Sequence, residues 1–196
     1  MLRELCKVFL IIGLCAGAVT PLWAMSVLPL SLDQIVTDAG VVFQGICTGN
    51  HTETDGANNL VVTYSSFSVQ EILKGSVGPQ HTIKQVGGST DVEGRRVSGA
   101  TSFAVGEEYV VFLYGVSAAG FSSPVGLSQG QFIVRNGPNG KVLSNGRPLK
   151  ELIPGLAVAV PNPSLRSSIA AASADNSFLG LEDFKEIVRQ RLGGAR

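Results

Sequence analysis

Cysteine is scarce in this sequence: three residues in 196, two of which, Cys6 and Cys15, fall in an N-terminal stretch that reads as a leader. Without that stretch Cys47 is the lone thiol, so no internal disulfide can staple the fold and a packed core must hold it. Cys47 ends the apolar run Val41-Val42-Phe43-Gln44-Gly45-Ile46-Cys47 and reads as a small buried hydrophobe; a reactive thiol or an intermolecular bridge are the other readings. Histidine is scarcer still. Neither His51 nor His81 has a second ligand at helical or hairpin spacing, so the sequence points to no metal site, no catalytic triad and no cofactor. Charge is sparse and balanced: 15% of residues are charged and the formal net charge is zero, becoming about −1 once Arg3, Glu4 and Lys7 are removed. Nucleic acid and anionic membrane surfaces would find no electrostatic footprint here. Long hydrophobic runs are missing as well. Val8 to Val19 offers about 12 residues, against the ~20 that a membrane-crossing helix needs.

That short run nonetheless has a context. Arg3 and Lys7 precede it, Thr20-Pro21 breaks it, and Leu22-Trp23-Ala24 supplies a small residue at a cleavage point, the three-part pattern of a secretory signal peptide over residues 1–24. Leu22 is larger than the best residue for its place, which leaves room for cleavage a residue or two to either side. An uncut N-terminal anchor is the competing reading. A lipoprotein reading through Cys15 is weakened by Leu14 and by the short apolar run before it. The expectation is an exported protein, periplasmic or extracellular, with no stable membrane insertion after cleavage.

What is abundant is glycine, at 24 residues, together with valine, a mixture that favours strands and tight turns over helices. Ser31-Leu32-Asp33-Gln34 carries a capping-box signature for a short helix with Leu32, Ile35 and Val36 inward, ended by Ala39-Gly40. Val41 to Cys47 reads as a first strand, and residues 48–60 as a mobile polar loop. Val61 to Leu73 is the longest strand, with a bulge or bend at Glu71-Ile72-Leu73 where the alternation fails. His81–Val86 follows with Ile83 inward, then a polar excursion over 89–102, a turn at Gly106, and the apolar strand Tyr109–Tyr114. After a Gly/Ser/Ala loop over 115–124 come strands at Val125–Leu127, Gln131–Val134 and Lys141–Leu143, the last two joined through Asn136-Gly137 and Asn139-Gly140. Residues 25–147 are thus expected to form a small antiparallel β domain, a β-barrel or a sandwich, with a leading helix. Residues 148–180, rich in Pro, Ala and Ser, are expected to be a linker, and residues 181–192 an amphipathic helix with Leu181, Phe184, Ile187, Val188 and Leu192 on one face.

The succession Val42-Phe43-Gln44-Gly45, Phe67-Ser68-Val69-Gln70-Glu71-Ile72-Leu73-Lys74-Gly75, Phe103-Ala104-Val105-Gly106-Glu107-Glu108-Tyr109-Val110-Val111-Phe112-Leu113 and Val125-Gly126-Leu127-Ser128-Gln129-Gly130-Gln131-Phe132 resembles a group of uncharacterised exported bacterial proteins. More distantly, the strand ending in Lys74-Gly75 and the later Gly106-Glu107-Glu108-Tyr109 strand resemble the netrin-like and tissue-inhibitor-of-metalloproteinase fold. The resemblance covers residues 40 to 135 and implies a mainly β, small antiparallel OB-type barrel with a short N-terminal and a C-terminal helix. Those inhibitors cap a protease zinc with an N-terminal, disulfide-tethered cysteine. A mature chain starting near Met25-Ser26 has none, so that chemistry carries over to no residue here.

Asp91 and Glu93 alternate on one side of a loop, as do His51, Glu53 and Asp55; the latter set could hold a weak cation, with a solvated loop as the ordinary reading. Glu107-Glu108 and Arg95-Arg96 read as surface charge. Asn50-His51-Thr52 matches a glycosylation sequon, relevant only in a eukaryotic secretory pathway. No Gly-x-Ser-x-Gly elbow occurs, the glycine-rich stretches lack a phosphate-loop ending, and nothing marks a pair of catalytic carboxylates. No catalytic, cofactor-binding or metal-ligating residue is therefore assigned. The sequence fits an exported non-enzymatic binding or interaction module, presenting the loops 48–60, 89–102 and 115–124 to an unknown protein or small ligand. The alternatives are an inhibitor or accessory protein of a secreted protease, an enzyme with an unrecognised site, and a structural role in the envelope.

Overall fold

Ser31 opens the first helix as its capping signature requires. In α1 (Leu32–Asp38) the backbone N–H of Gln34 donates to Ser31 Oγ at 3.3 Å, and that of Ser31 donates to Gln34 Oε1 at 2.8 Å. Leu32, Ile35 and Val36 are buried, as the spacing predicts. These positions come from a computed structural model that describes residues 28–56, 60–89, 96–97, 101–153, 162–174 and 178–193. The leader expected over 1–24 lies outside the described residues.

Two long strands dominate the sheet. β1 (Val41–Asp55) and β2 (Leu60–Lys74) pair antiparallel from Val42↔Lys74 out to Asp55↔Leu60. The loop expected over 48–60 is therefore mostly strand. Beyond Ile46, where the ladder with the next strand stops, β2 is the only strand paired with β1 among the described residues. This projecting arm satisfies its backbone through the ladder while its side chains stay polar, and composition alone reads such residues as a loop. Register shifts skip Leu73, Gln70 and Thr48, so the bulge expected at Glu71-Ile72-Leu73 is present and two more accompany it. Each bulge bends the hairpin and increases its twist.

β3 (Gln80–Val86) pairs with β2 and buries Ile83. β4 (Gly88–Ser89) and β5 (Arg96–Val97) form a separate two-stranded ladder. Gly106, at φ +86°, turns the chain into β6 (Glu108–Leu113), which lies against β1. β7 (Gln131–Gly137) and β8 (Gly140–Ser144) make a hairpin whose turn ends on Gly140 at φ +118°. A two-residue strand, β9 (Leu179–Gly180), covers part of β8. Among the described residues the protein is mainly β: a seven-stranded antiparallel sheet, ordered β3-β2-β1-β6-β7-β8-β9, with helices packed on it.

The sheet is not closed into the expected barrel, because no ladder joins β3 back to β6. The segment 115–124 crosses that gap with little backbone to offer. Pro124 bridges Leu113, and the Ser122 N–H donates to the Lys84 carbonyl at 2.9 Å. The strand expected at Val125–Leu127 is also replaced. Gly126 (φ +61°) and Leu127 (φ +62°) are left-handed and lead into a 3-10 turn over Leu127–Gly130, closed by Gly130 N–H donating to Val125 O at 2.7 Å.

Alternation along the strands feeds two cores. Phe43, Cys47, Phe67, Ile83, Tyr109, Val111 and Leu113 line the inside of the curl under Phe103. Val42, Val110, Phe112, Phe132, Val134 and Leu143 face the other way, toward the helices. The expected linker supplies much of that helical layer: a helical turn at Leu149–Leu152 and α2 (Pro163–Ala174) bury Leu149, Leu152, Leu165, Ile169 and Ala172. Pro163 suits the first position of a helix, and Leu165, Ile169 and Ala172 recur at i, i+4 and i+7. α3 (Leu181–Gly193) matches expectation, with Leu181, Phe184, Ile187 and Val188 buried. Phe184 sits 4.8 Å from Phe132 and 6.1 Å from Phe112, centroid to centroid. Among the described residues no helix is long and apolar enough to cross a membrane.

Candidate functional site

Of the loops chosen from sequence, 89–102 lies largely outside the described residues. His51, Glu53 and Asp55 project from the β1 arm rather than from a loop. His51 Nε2 lies 3.3 Å from Glu53 Oε2 with both side chains at least half exposed, and the His51 ring stacks on Tyr64 at 6.4 Å. Asp55 turns instead to Lys84, 3.3 Å away. The Lys84 ammonium also lies 4.4 Å from the Phe121 ring centroid, so the loop 115–124 is fastened to β3 by a cation–π contact. Asp91, Glu93 and Arg95 lie outside the described residues. Among the described residues no group of three or more His, Cys, Asp or Glu is placed to hold a metal ion.

Other singled-out residues are structural. Cys47 is buried, and burial pushes its thiol pKa up. Asn50 of the sequon straps the arm to the neighbouring segment: its Nδ2 donates to Phe103 O at 2.7 Å, and its Oδ1 accepts from Ser65 Oγ at 2.7 Å. His81 lies edge-on to Phe43 at 5.5 Å, its Nε2 buried without a partner, and burial pulls its pKa down. Glu108 is no loose surface charge. Its side chain is 13% exposed, accepts from Gln44 Nε2 at 2.5 Å and pairs with Lys141 at 2.7 Å.

Two polar arrangements escaped the sequence. Gln129, lifted by the left-handed pair Gly126-Leu127, grips the start of the described chain: Leu30 N–H donates to its Oε1 at 2.7 Å, and its Nε2 donates to Leu28 O at 3.0 Å. Arg147 completes this clamp by donating to Leu30 O at 2.5 Å. On the helical face, the nearly buried Lys185 reaches Gln44, Glu71 and Glu182. All of these groups have partners, which is what a structural role looks like.

A groove of about 680 Å³ runs along the β7–β8 hairpin, bounded by α2, by β9 and by Asp183 at the start of α3. Ile133, Val142, Leu179 and Ala171 give it an apolar lining, and Phe178 stands beside it 59% exposed. Its polar rim is the hairpin tip, from Arg135 to Lys141. Sequence could not find it, because part of its wall, from Ser168 to Gly180, comes from the segment read as linker. Protein-family models give no match to this chain, and no curated protein matches it.

Proposed function

We propose that the protein is an exported, non-enzymatic binding module built on an OB-type curl, and that the groove beside the β7–β8 hairpin is its ligand site. The carrying observation is the groove itself: about 680 Å³, within the ~300–1,000 Å³ typical of small-molecule sites, mostly apolar, with polar groups at the hairpin tip and at Ser144, Ser168 and Asp183. The OB-type reading is supported by the bulged β1–β2 hairpin and by the seam in which Ser122 spans the gap to Lys84. Export is supported by the basic, apolar and small-residue succession of residues 1–24.

The test uses the full chain and a neutral apolar fluorophore, N-phenyl-1-naphthylamine. Saturable fluorescence enhancement that disappears in Ala171→Trp, which fills the groove from the exposed side of α2, supports the site. Enhancement unchanged by that substitution places any binding elsewhere and defeats the proposal. N-terminal sequencing of exported material tests the leader, with a start at or within two residues of Met25 as the expected result.

A further inference from the structure

We infer that the groove takes an apolar group ending in a carboxylate, with Arg135 reading the charge; this rests on the groove being the binding site. The strand register sets the geometry. Arg135 pairs with Val142, and Val142 with Gly180, so the three form a row across β7, β8 and β9. With strands about 4.8 Å apart, the Arg135 backbone lies about 10 Å from the Gly180 end of the groove. Ile133 lies two residues from Arg135 and so shares its face of β7, and Val142 stands beside them. A ligand lying along this row meets aliphatic surface first and the guanidinium last.

Among the described residues that line the groove, Arg135 is the cation left available. Lys141 is neutralised by Glu108 at 2.7 Å. Asp183 stands in the first turn of α3, where the helix N-terminus favours an anion. Arg135 is exposed, and no carboxylate among the described residues pairs with it. A guanidinium offers two parallel N–H donors to a carboxylate, and apolar surface beside it strengthens that contact by reducing competition from water. An acyl chain and the C-terminus of an apolar peptide share this chemistry.

Isothermal titration of the full chain with four probes separates the sources. These are decanoate, decanol, the tripeptide Leu-Val-Leu as free acid, and the same tripeptide as its amide. At least one acid should bind about tenfold more tightly than its neutral counterpart, and the acid that does so identifies the source. Arg135→Gln should erase that preference while leaving the neutral probe's affinity unchanged, and Ala171→Trp should remove binding of both. Equal affinity for acid and neutral forms, or a preference that survives Arg135→Gln, overturns the carboxylate inference while the groove remains a binding site. Binding of none of the four probes, with N-phenyl-1-naphthylamine also silent, overturns both.

Discussion

Lys185 Nζ stands 3.2 Å from Gln44 Oε1 and thereby ties the C-terminal helix to an interior strand across 141 residues of sequence. The same ammonium lies 2.8 Å from Glu71 Oε2 and 2.7 Å from Glu182 Oε1, and its side chain is only 6% exposed. Gln44 relays the contact onward, donating to Glu108 and, at 3.2 Å, to Gln70. A charge this far from water is tolerable because each of its donors meets an acceptor.

Lys185→Met keeps the aliphatic stem and removes the ammonium. Gln44 Oε1 then loses a donor and Glu71 keeps only Arg189. A loss of about 1–3 kcal/mol is expected in urea unfolding, the range for stranding buried polar groups. It falls short of the larger losses seen when fully buried ion pairs are broken, because Glu71 is 34% exposed and water screens it.

The same network sets two limits in pH. Burial pushes Glu71 up, but hydrogen bonds and charge from Lys185 and Arg189 outweigh it and hold the carboxyl below its ordinary 4.5. Its stabilisation is therefore complete above pH 4.5 and is lost as pH falls below that value. Lys185 behaves in mirror image: burial pulls it down, while Glu182 and Glu71 raise it above 10.5, so its contribution is complete below pH 10.5 and drains away above it. Urea midpoints measured across pH should show both limbs. Glu71→Gln should flatten the acidic one.

His81 adds a third limb in a milder range. Burial depresses its pKa below 6.5, so the unfolded chain takes up the proton first and stability falls as pH drops below 6.5. Above that value the residue contributes no slope. In His81→Phe, melting temperature should depend less on pH between 5.5 and 6.5 than in the parent; an equal slope in both proteins would exclude His81 as the cause.

Backbone conformation at the Gln129 clamp makes opposite demands on neighbouring residues. Leu127 is the non-glycine residue with positive φ among the described positions, at 62°, and Leu127→Gly should raise stability by about 0.5–1 kcal/mol in thermal unfolding. Gly126→Ala should do the reverse, since its φ is +61° and a Cβ there would stand 2.6 Å from Leu30 Cδ1. Gly130→Ala should be worse. Its Cβ would meet backbone atoms of Val125 and Phe112 at 2.8–2.9 Å, where no flexible side chain can give way.

Much of the fold could be read from sequence wherever a residue pattern had a single physical outcome. The Ser31–Gln34 capping box, the failed alternation at Glu71-Ile72-Leu73 and the apolar face of Leu181–Leu192 each specify one local structure. The misreadings arose where composition competed with partners that sequence does not display. Thr48–Asp55 is polar on both faces because its strand stands clear of the rest of the sheet, and only the pairing with Leu60–Ser66 makes it a strand. Leu165, Ile169 and Ala172 were spaced for a helix but sat among Ser, Ala and Pro. The candidate groove was illegible for the same reason: Ala171 and Phe178 reach Val142 only through the fold.

The two hydrophobic bodies back onto the same strands. Val42 and Phe43 are chain neighbours that point to opposite sides, as do Val110 and Val111, so both bodies draw on β1 and β6. Melting either one strips support from the other, and the molecule has no severable half. A ligand that steadies the β7–β8 edge would accordingly be felt as far away as the aromatic interior, as a rise in the melting of the whole chain.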